Sequence, residues 1–175
     1  MFKVQNGQLD ALGLLFERYK KILYSFFNQV TSDRVLSEDL VQNVFYRIIK
    51  YRRQYGGTGS FKAWMFAIAR NVVADEFRKK GIKHWETIED YQESISDKES
   101  TLTQIYDQEK NQLLQHALNR LDSEKKELLV LVKLNGMKYK EVAHMMQMNE
   151  STVKVKVFRA IKELQSIYQK NEKPI

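Results

Sequence analysis

The feature that most constrains this chain is the spacing of its apolar residues between Leu9 and Val30. Leu12, Leu15, Phe16, Tyr19, Ile22, Leu23, Phe26, Phe27 and Val30 recur at intervals of three and four, with Asp10 near the start of the run. Such intervals collect side chains on one stripe of an α-helix and scatter them over both faces of a strand. The same period returns in Leu40, Val41, Val44, Phe45, Ile48 and Ile49, after the break at "TSDR". The chain has one proline, Pro174, so its interior holds no residue that forbids helix. Strand-type alternation is scarce. An all-α fold follows.

Further helices can be placed by their caps. Ser60 is a candidate N-cap for a helix over residues 61–80. Beyond a polar stretch, helices are expected over 111–120, 123–135, 138–146 and 150–169. Asp122 and Asn149 are candidate N-caps, and Gly136 stands where a helix C-terminus favours glycine. Charge divides the chain in the same places. Residues 47–83 carry ten lysines and arginines against two acids, whereas residues 84–110 carry eight acids against two lysines; after Gly136 the chain turns basic again. The pattern predicts two small helical domains, 1–83 and 111–175, joined by a flexible acidic linker over 84–110 whose C-terminal end suits helix.

The totals narrow the function. With 175 residues and 43% hydrophobic content, packed cores are within reach. A formal charge of +7 points to polyanionic partners, nucleic acid or an acidic membrane surface. The absence of cysteine removes disulfides, thiolate catalysis and cysteine-based zinc sites. No apolar run is long enough to span a bilayer, and "MFKVQNGQLDALG" lacks the cationic start and apolar core of a signal peptide. A soluble cytoplasmic protein is expected. His84, His116 and His144 are scattered, with no metal or nucleophile constellation around them. Neither enzymatic activity nor a cofactor is expected.

Three of the seven glycines crowd into "YRRQYGGTGSFKAW", residues 51–64. A phosphate-cradling P-loop needs a preceding strand and a lysine and hydroxyl directly after its last glycine. Here a helix precedes, and Gly59 is followed by Ser60 and Phe61. The helix after the loop is apolar over more than half its circumference, including Trp64, which is expected in the core. Its remaining face carries Ala63, Ala67 and Ala74 beside Arg70, Asn71 and Arg78. Small residues edged by arginines suit the close approach of a nucleic-acid backbone, and equally the approach of another helix.

The segment "KYKEVAHMMQMNESTVKVKVFRAIKELQ" reads as helix, short turn, helix. Val153, Val157, Ala160, Ile161 and Leu164 form the inner stripe of the second helix. Ser151, Thr152, Lys154, Val155, Lys156, Phe158, Arg159 and Lys162 lie outward. In a helix-turn-helix the second helix enters the major groove, where hydroxyls and cations suit base edges and phosphates. Val155 is either a contact for a thymine methyl or an exposed valine.

With these segments in view, the chain resembles the extracytoplasmic-function (ECF) group of bacterial RNA polymerase sigma factors over nearly its whole length. The resemblance rests on "SEDLVQNVFYRI" (37–48), "SFKAWMFAIARNVVADEFRKK" (60–80), "LDSEKKELLVLVKLNGMKYKEVA" (121–143) and "STVKVKVFRAIKEL" (151–164), in that order. It implies a region 2 domain that binds core polymerase and opens the minus-10 element, and a region 4 domain that reads the minus-35 element and touches the β-flap. It places Asp39, Gln42, Asn43 and Tyr46 on the β′ clamp helices. It places Gly57, Thr58, Ser60, Lys62, Arg70, Asn71, Arg78 and Lys79 on minus-10 DNA, with the glycine loop helping to hold a flipped base. It places Ser151, Thr152, Lys154, Val155, Lys156 and Arg159 on minus-35 DNA. Promoter DNA and core polymerase are the implied partners, an anti-sigma factor a further one, and no small-molecule substrate is implied.

The chain departs from the family at Gln147, where relatives commonly carry glycine in the helix-turn-helix turn. A glutamine there predicts a somewhat altered turn, with Asn149 sharing the capping. Val155 also replaces a usual small residue, which predicts altered base preference. The rival reading is a stand-alone helix-turn-helix regulator; it leaves the first 80 residues unexplained.

Overall fold

The computed structural model describes residues 1–57, 59–81 and 102–172, with side chains for all of these except 102–109 and 172. Within them the chain is helical: α1 (Phe2–Gln5), α2 (Asp10–Thr31), α3 (Arg34–Lys50), α4 (Phe61–Lys79), α5 (Leu102–Asn119), α6 (Ser123–Leu129), α7 (Tyr139–Met146) and α8 (Glu150–Glu172). A 3-10 turn over Arg52–Gln54 follows α3, and a π-type turn over Val130–Leu134 follows α6.

The amphipathic stripes bury as their spacing requires. Leu23, Phe26 and Phe27 of α2 meet Val44 and Ile48 of α3 and Met65 and Phe66 of α4, all without solvent exposure. Phe26 and Phe66 cross edge to face, with ring centroids 5.3 Å apart. The "TSDR" break is a built corner. Ser32 ends α2 in the left-handed conformation, and Asp33 caps α3 by accepting from the Leu36 amide at 2.9 Å. Buried Thr31 Oγ1 donates to the Phe27 carbonyl at 2.9 Å and lies 3.2 Å from Ser37 Oγ, so no hydroxyl is stranded there.

The C-terminal half packs α6, α7 and the start of α8 around Leu128, Leu131, Val142, Val153 and Val157. Two helices differ from expectation. The predicted helix over 123–135 loses α geometry after Leu129 and widens by one residue per turn. The Val130 carbonyl receives both the Asn135 amide at 2.9 Å and its side-chain Nδ2 at 2.8 Å, and Gly136 then exits at φ 60°. The predicted helix over 111–120 begins earlier, at Leu102. Helix is expected at the C-terminal end of the linker, and Leu102, Ile105 and Tyr106 supply too few apolar positions to fix where it starts. The linker expectation for residues 84–101 lies outside the described residues.

The two halves touch. Helix α4 lies against α7, and α2 meets the π-type turn.

Candidate nucleic-acid interface

Ser60 caps α4 as its sequence position suggests. Its Oγ accepts from the Ala63 amide at 3.1 Å and donates to Glu141 Oε1 of α7 at 2.6 Å. Two further minus-10 candidates also meet the C-terminal half. Lys62 Nζ donates to the Asn135 carbonyl, and Arg70 Nε donates to Glu127 Oε1 at 2.7 Å. Glu127 is buried to 3% exposure in α6. Burial pushes its carboxyl above the usual range, and the Arg70 guanidinium pulls it back toward the charged form. Arg70, on the face of α4 that carries alanines and arginines, therefore meets the C-terminal half, while Asn71 and Arg78 of that face stay open. Trp64 is half-buried and packs edge to face on Tyr55, with centroids 5.2 Å apart.

The remaining minus-10 candidates stay toward solvent. Asn71 is exposed, as are Arg78 and Lys79, which pair locally with Asp75 at 3.0 Å and Glu76 at 3.7 Å. Asp75 also receives Arg47 at 2.8 Å, tying α3 to α4; these hydrogen bonds hold its carboxyl below its ordinary range despite partial burial. Gly57 takes φ 69°, a conformation that favours glycine. Thr58 lies outside the described residues.

On α3, Asp39, Gln42 and Tyr46 stand exposed on one face, Tyr46 at 65%. Asn43 is half-buried at the edge of that face, accepting from Arg47 Nε at 3.1 Å. Beside them opens an apolar groove of about 370 Å³ between α2 and α3, lined by Phe16, Tyr24 and Val41 with Lys20, Glu38 and Gln42 at its rim.

On α8, Val153, Val157 and Ala160 are buried and turn the opposite face outward. Ser151, Thr152, Lys154, Val155 and Arg159 are exposed together, with Phe158 at 58%. Lys154 pairs with Glu150 at 2.7 Å. Lys156 does not stand with the open set: both oxygens of Glu124 on α6 accept from its Nζ, at 2.6 and 2.8 Å. The turn before α8 keeps a left-handed corner. Gln147 adopts φ 55°, and the Met148 amide reaches back to the Ala143 carbonyl at 2.9 Å. A glutamine thus holds the conformation that glycine favours, at a cost in backbone strain.

The acids on α6 and α7 escaped the sequence reading. Glu127 had a usable signal: three and four residues on along the helix lie Val130 and Leu131, so the position points into a core and a carboxylate there needs a partner. That the partner would be Arg70, across the chain, had none.

Comparison with known proteins matches this layout. A family model described as Sigma-70 region 2 covers residues 15–83, and one described as Sigma-70, region 4 covers residues 111–164. The chain is 28% identical to the ECF RNA polymerase sigma factor BldN of Streptomyces coelicolor over 93% of its own length, and spans 62% of that protein. It is 29% identical to the ECF RNA polymerase sigma factor SigM of Bacillus subtilis, over 89% of this chain and 94% of SigM. Its fold is that of the sigma factor RpoE of Bartonella quintana, solved with the anti-sigma factor NepR, at 24% identity and a TM-score of 0.70 over 90% of this chain and 96% of that one. With region 2 and region 4 both matched in order, and curated relatives spanning both, the chain belongs to the extracytoplasmic-function group of RNA polymerase sigma factors.

Proposed function

We propose that this chain binds core RNA polymerase, carries it to promoters with paired minus-35 and minus-10 elements, and helps melt the minus-10 element. The observation that carries the reading is the pairing of two basic helix faces on one chain: α4 with its glycine loop, and α8 behind a helix-turn-helix corner. Residues 1–83 take the minus-10 side, residues 84–110 connect, and residues 111–175 take the minus-35 side. Asp39, Gln42, Asn43 and Tyr46 meet the β′ clamp helices. Gly57, Thr58, Ser60, Lys62, Arg70, Asn71, Arg78 and Lys79 meet the minus-10 strand. Ser151, Thr152, Lys154, Val155, Lys156 and Arg159 meet the minus-35 duplex. The protein works in the cytoplasm, on the nucleoid when bound to polymerase. An anti-sigma factor is proposed as a further partner, and no catalytic step is assigned to the chain itself.

This role requires the halves to part. Ser60, Lys62 and Arg70 are committed to Glu141, the Asn135 carbonyl and Glu127, so DNA reaches them only once α4 leaves the C-terminal half. The connection is long enough. Residues 84–101 reach about 60 Å when extended, and helical residues 102–110 add about 14 Å. Two turns of DNA occupy about 70 Å.

The test is promoter-dependent transcription with purified bacterial core polymerase over a library of candidate promoters. A discrete set of start sites is expected, each lost without the chain. Specific operator binding by the chain alone, with no core binding and no transcript, would instead establish the stand-alone regulator.

A further inference from the structure

The N-terminal helix α1 has no part in the interfaces above, yet it is fastened to the glycine loop. Val4 is completely buried and anchors the helix. Gln5 Nε2 donates to the Tyr55 carbonyl at 3.0 Å and also reaches the Arg53 carbonyl at 3.4 Å. The Phe2 ring leans on Tyr55, with centroids 5.6 Å apart, and lies directly over Gly57. A Cβ at Gly57 would come within 2.6 Å of the Phe2 ring and push that exposed side chain aside, and the φ of 69° itself favours glycine. Tyr55, itself buried, continues the contact to Trp64 and Phe61 in the first turn of α4.

Among the described residues, little else fixes the loop. Among the described residues, Gly56, Gly57 and Gly59 make no hydrogen bond to the rest of the chain. Glycine samples many backbone states, and a pocket that discriminates among bases needs one. Phe2 and Gln5 supply the missing constraint from outside the loop.

We propose that α1 is a positioning element for the minus-10 strand: Phe2 and Gln5 hold the glycine loop in the shape that selects the captured base. The inference rests on the reading of that loop as the base-holding site. Phe2 contributes little to the folded core, being 59% exposed, so its removal tests positioning rather than folding.

The experiment uses holoenzyme assembled from core polymerase and the full chain. Initiation is measured on a promoter with each of the four bases at the most discriminating minus-10 position. For Phe2→Ala, and separately Gln5→Ala, discrimination between best and worst base is expected to fall about fivefold, the scale of coupling between contacting residues. Core affinity and minus-35 dependence should stay as in the parent, and Phe2→Tyr should restore discrimination. Thr58→Ala is run in parallel. If Thr58→Ala flattens base preference while Phe2→Ala and Gln5→Ala leave it intact, α1 does not position the loop and the inference is overturned, although the loop reading stands. If none of the three flattens it, the loop is only a turn and both fall. If the α1 variants flatten it and Thr58→Ala does not, the inference holds and selection is by loop shape rather than by the Thr58 hydroxyl.

Discussion

The two helix faces offered to DNA are built alike in sequence and held differently in the fold. Helix α4 presents Ser60, Lys62 and Arg70 at its start and middle, and the C-terminal half accepts from all three. Helix α8 presents Ser151, Thr152, Val155 and Arg159 to solvent; Lys156 is drawn aside to Glu124 on α6, and exposed Lys154 pairs with Glu150 on its own helix. One short helix, α6, supplies an acid to each face: Glu127 to Arg70 and Glu124 to Lys156. The difference teaches that cation content alone does not give an available nucleic-acid surface. A cation already satisfied by a buried carboxylate must first lose that partner, whereas an exposed one exchanges only water and counterions.

The largest effect should come from breaking the contact between the halves. Arg70→Glu sets two carboxylates against each other where burial already disfavours the charge of Glu127. Arg70 is one-third exposed, so the shift toward parted halves is expected at about 2 kcal/mol, roughly thirtyfold, rather than the larger cost of a wholly buried pair. Energy transfer between dyes on the two halves, in the free protein, should fall. The double variant Arg70→Glu with Glu127→Arg should restore it. An unchanged distance in Arg70→Glu would mean that packing of α4 on α7 holds the halves without this pair, and the contrast between the faces would lose its electrostatic basis.

The next effect concerns the open face. Arg159→Ala should weaken minus-35 binding by holoenzyme about tenfold, within the usual range for losing one groove contact. Lys156→Ala should cost less, because Glu124 already neutralises that lysine. Glu124→Gln should raise affinity modestly and steepen its fall with salt, as a freed cation displaces one more counterion. Equal losses from Arg159→Ala and Lys156→Ala would show that the Glu124 pair opens freely on DNA and that the two cations are equivalent.

These contrasts mark what the sequence could tell. The helices were legible because burial follows a period: Phe26, Val44 and Val157 are buried where their stripes place them. Caps were legible for the same local reason, and Ser60, Asp122 and Gly136 act at the helix ends where they were expected. Contacts across distant chain were not. Arg70 and Glu127 are separated by 57 residues, and nothing in either local pattern names the other. The shift at Val130 from α to a wider turn was hidden because Asn135 accomplishes it, with a side chain that reaches back five residues to a single carbonyl. Helix α1 was missed because four residues carry too short a pattern to register a period.

A smaller effect tests α6 as the source of both acids. Lys126, beside Glu127, is 4% exposed and donates from its Nζ to Asn119 Oδ1 at 2.7 Å, and burial pushes its ammonium down from 10.5 to about 8. The unfolded chain then binds the proton more tightly than the folded one. Stability should therefore rise with pH between about 8 and 10.5, and the charged lysine costs stability throughout the range below. Lys126→Met should stabilise by about 1 kcal/mol near pH 7, and the gain should shrink as pH passes 8 and the parent lysine loses its proton. Denaturant midpoints across that pH range measure it. A gain that does not change with pH would point to packing by methionine in place of relief of a buried charge. A loss at every pH would show that the Asn119 bond outweighs the burial cost.

The smallest effect separates the corners that launch the two DNA-facing helices. Gly57 precedes α4 at φ 69° and Gln147 precedes α8 at φ 55°, so both corners are left-handed but only one has the residue that adopts that conformation without strain. A left-handed non-glycine residue costs about 1–2 kcal/mol, and glycine returns part of that gain through its greater freedom in the unfolded chain. Gln147→Gly should therefore stabilise by about 0.5 kcal/mol and raise the melting temperature by about 2 °C. Minus-35 affinity should not change, because the backbone already has the shape glycine would give it. A drop in melting temperature would show that the glutamine side chain stabilises the corner by more than its strain. A change in affinity at constant stability would show that the corner moves, and that α8 owes its aim to the strain itself.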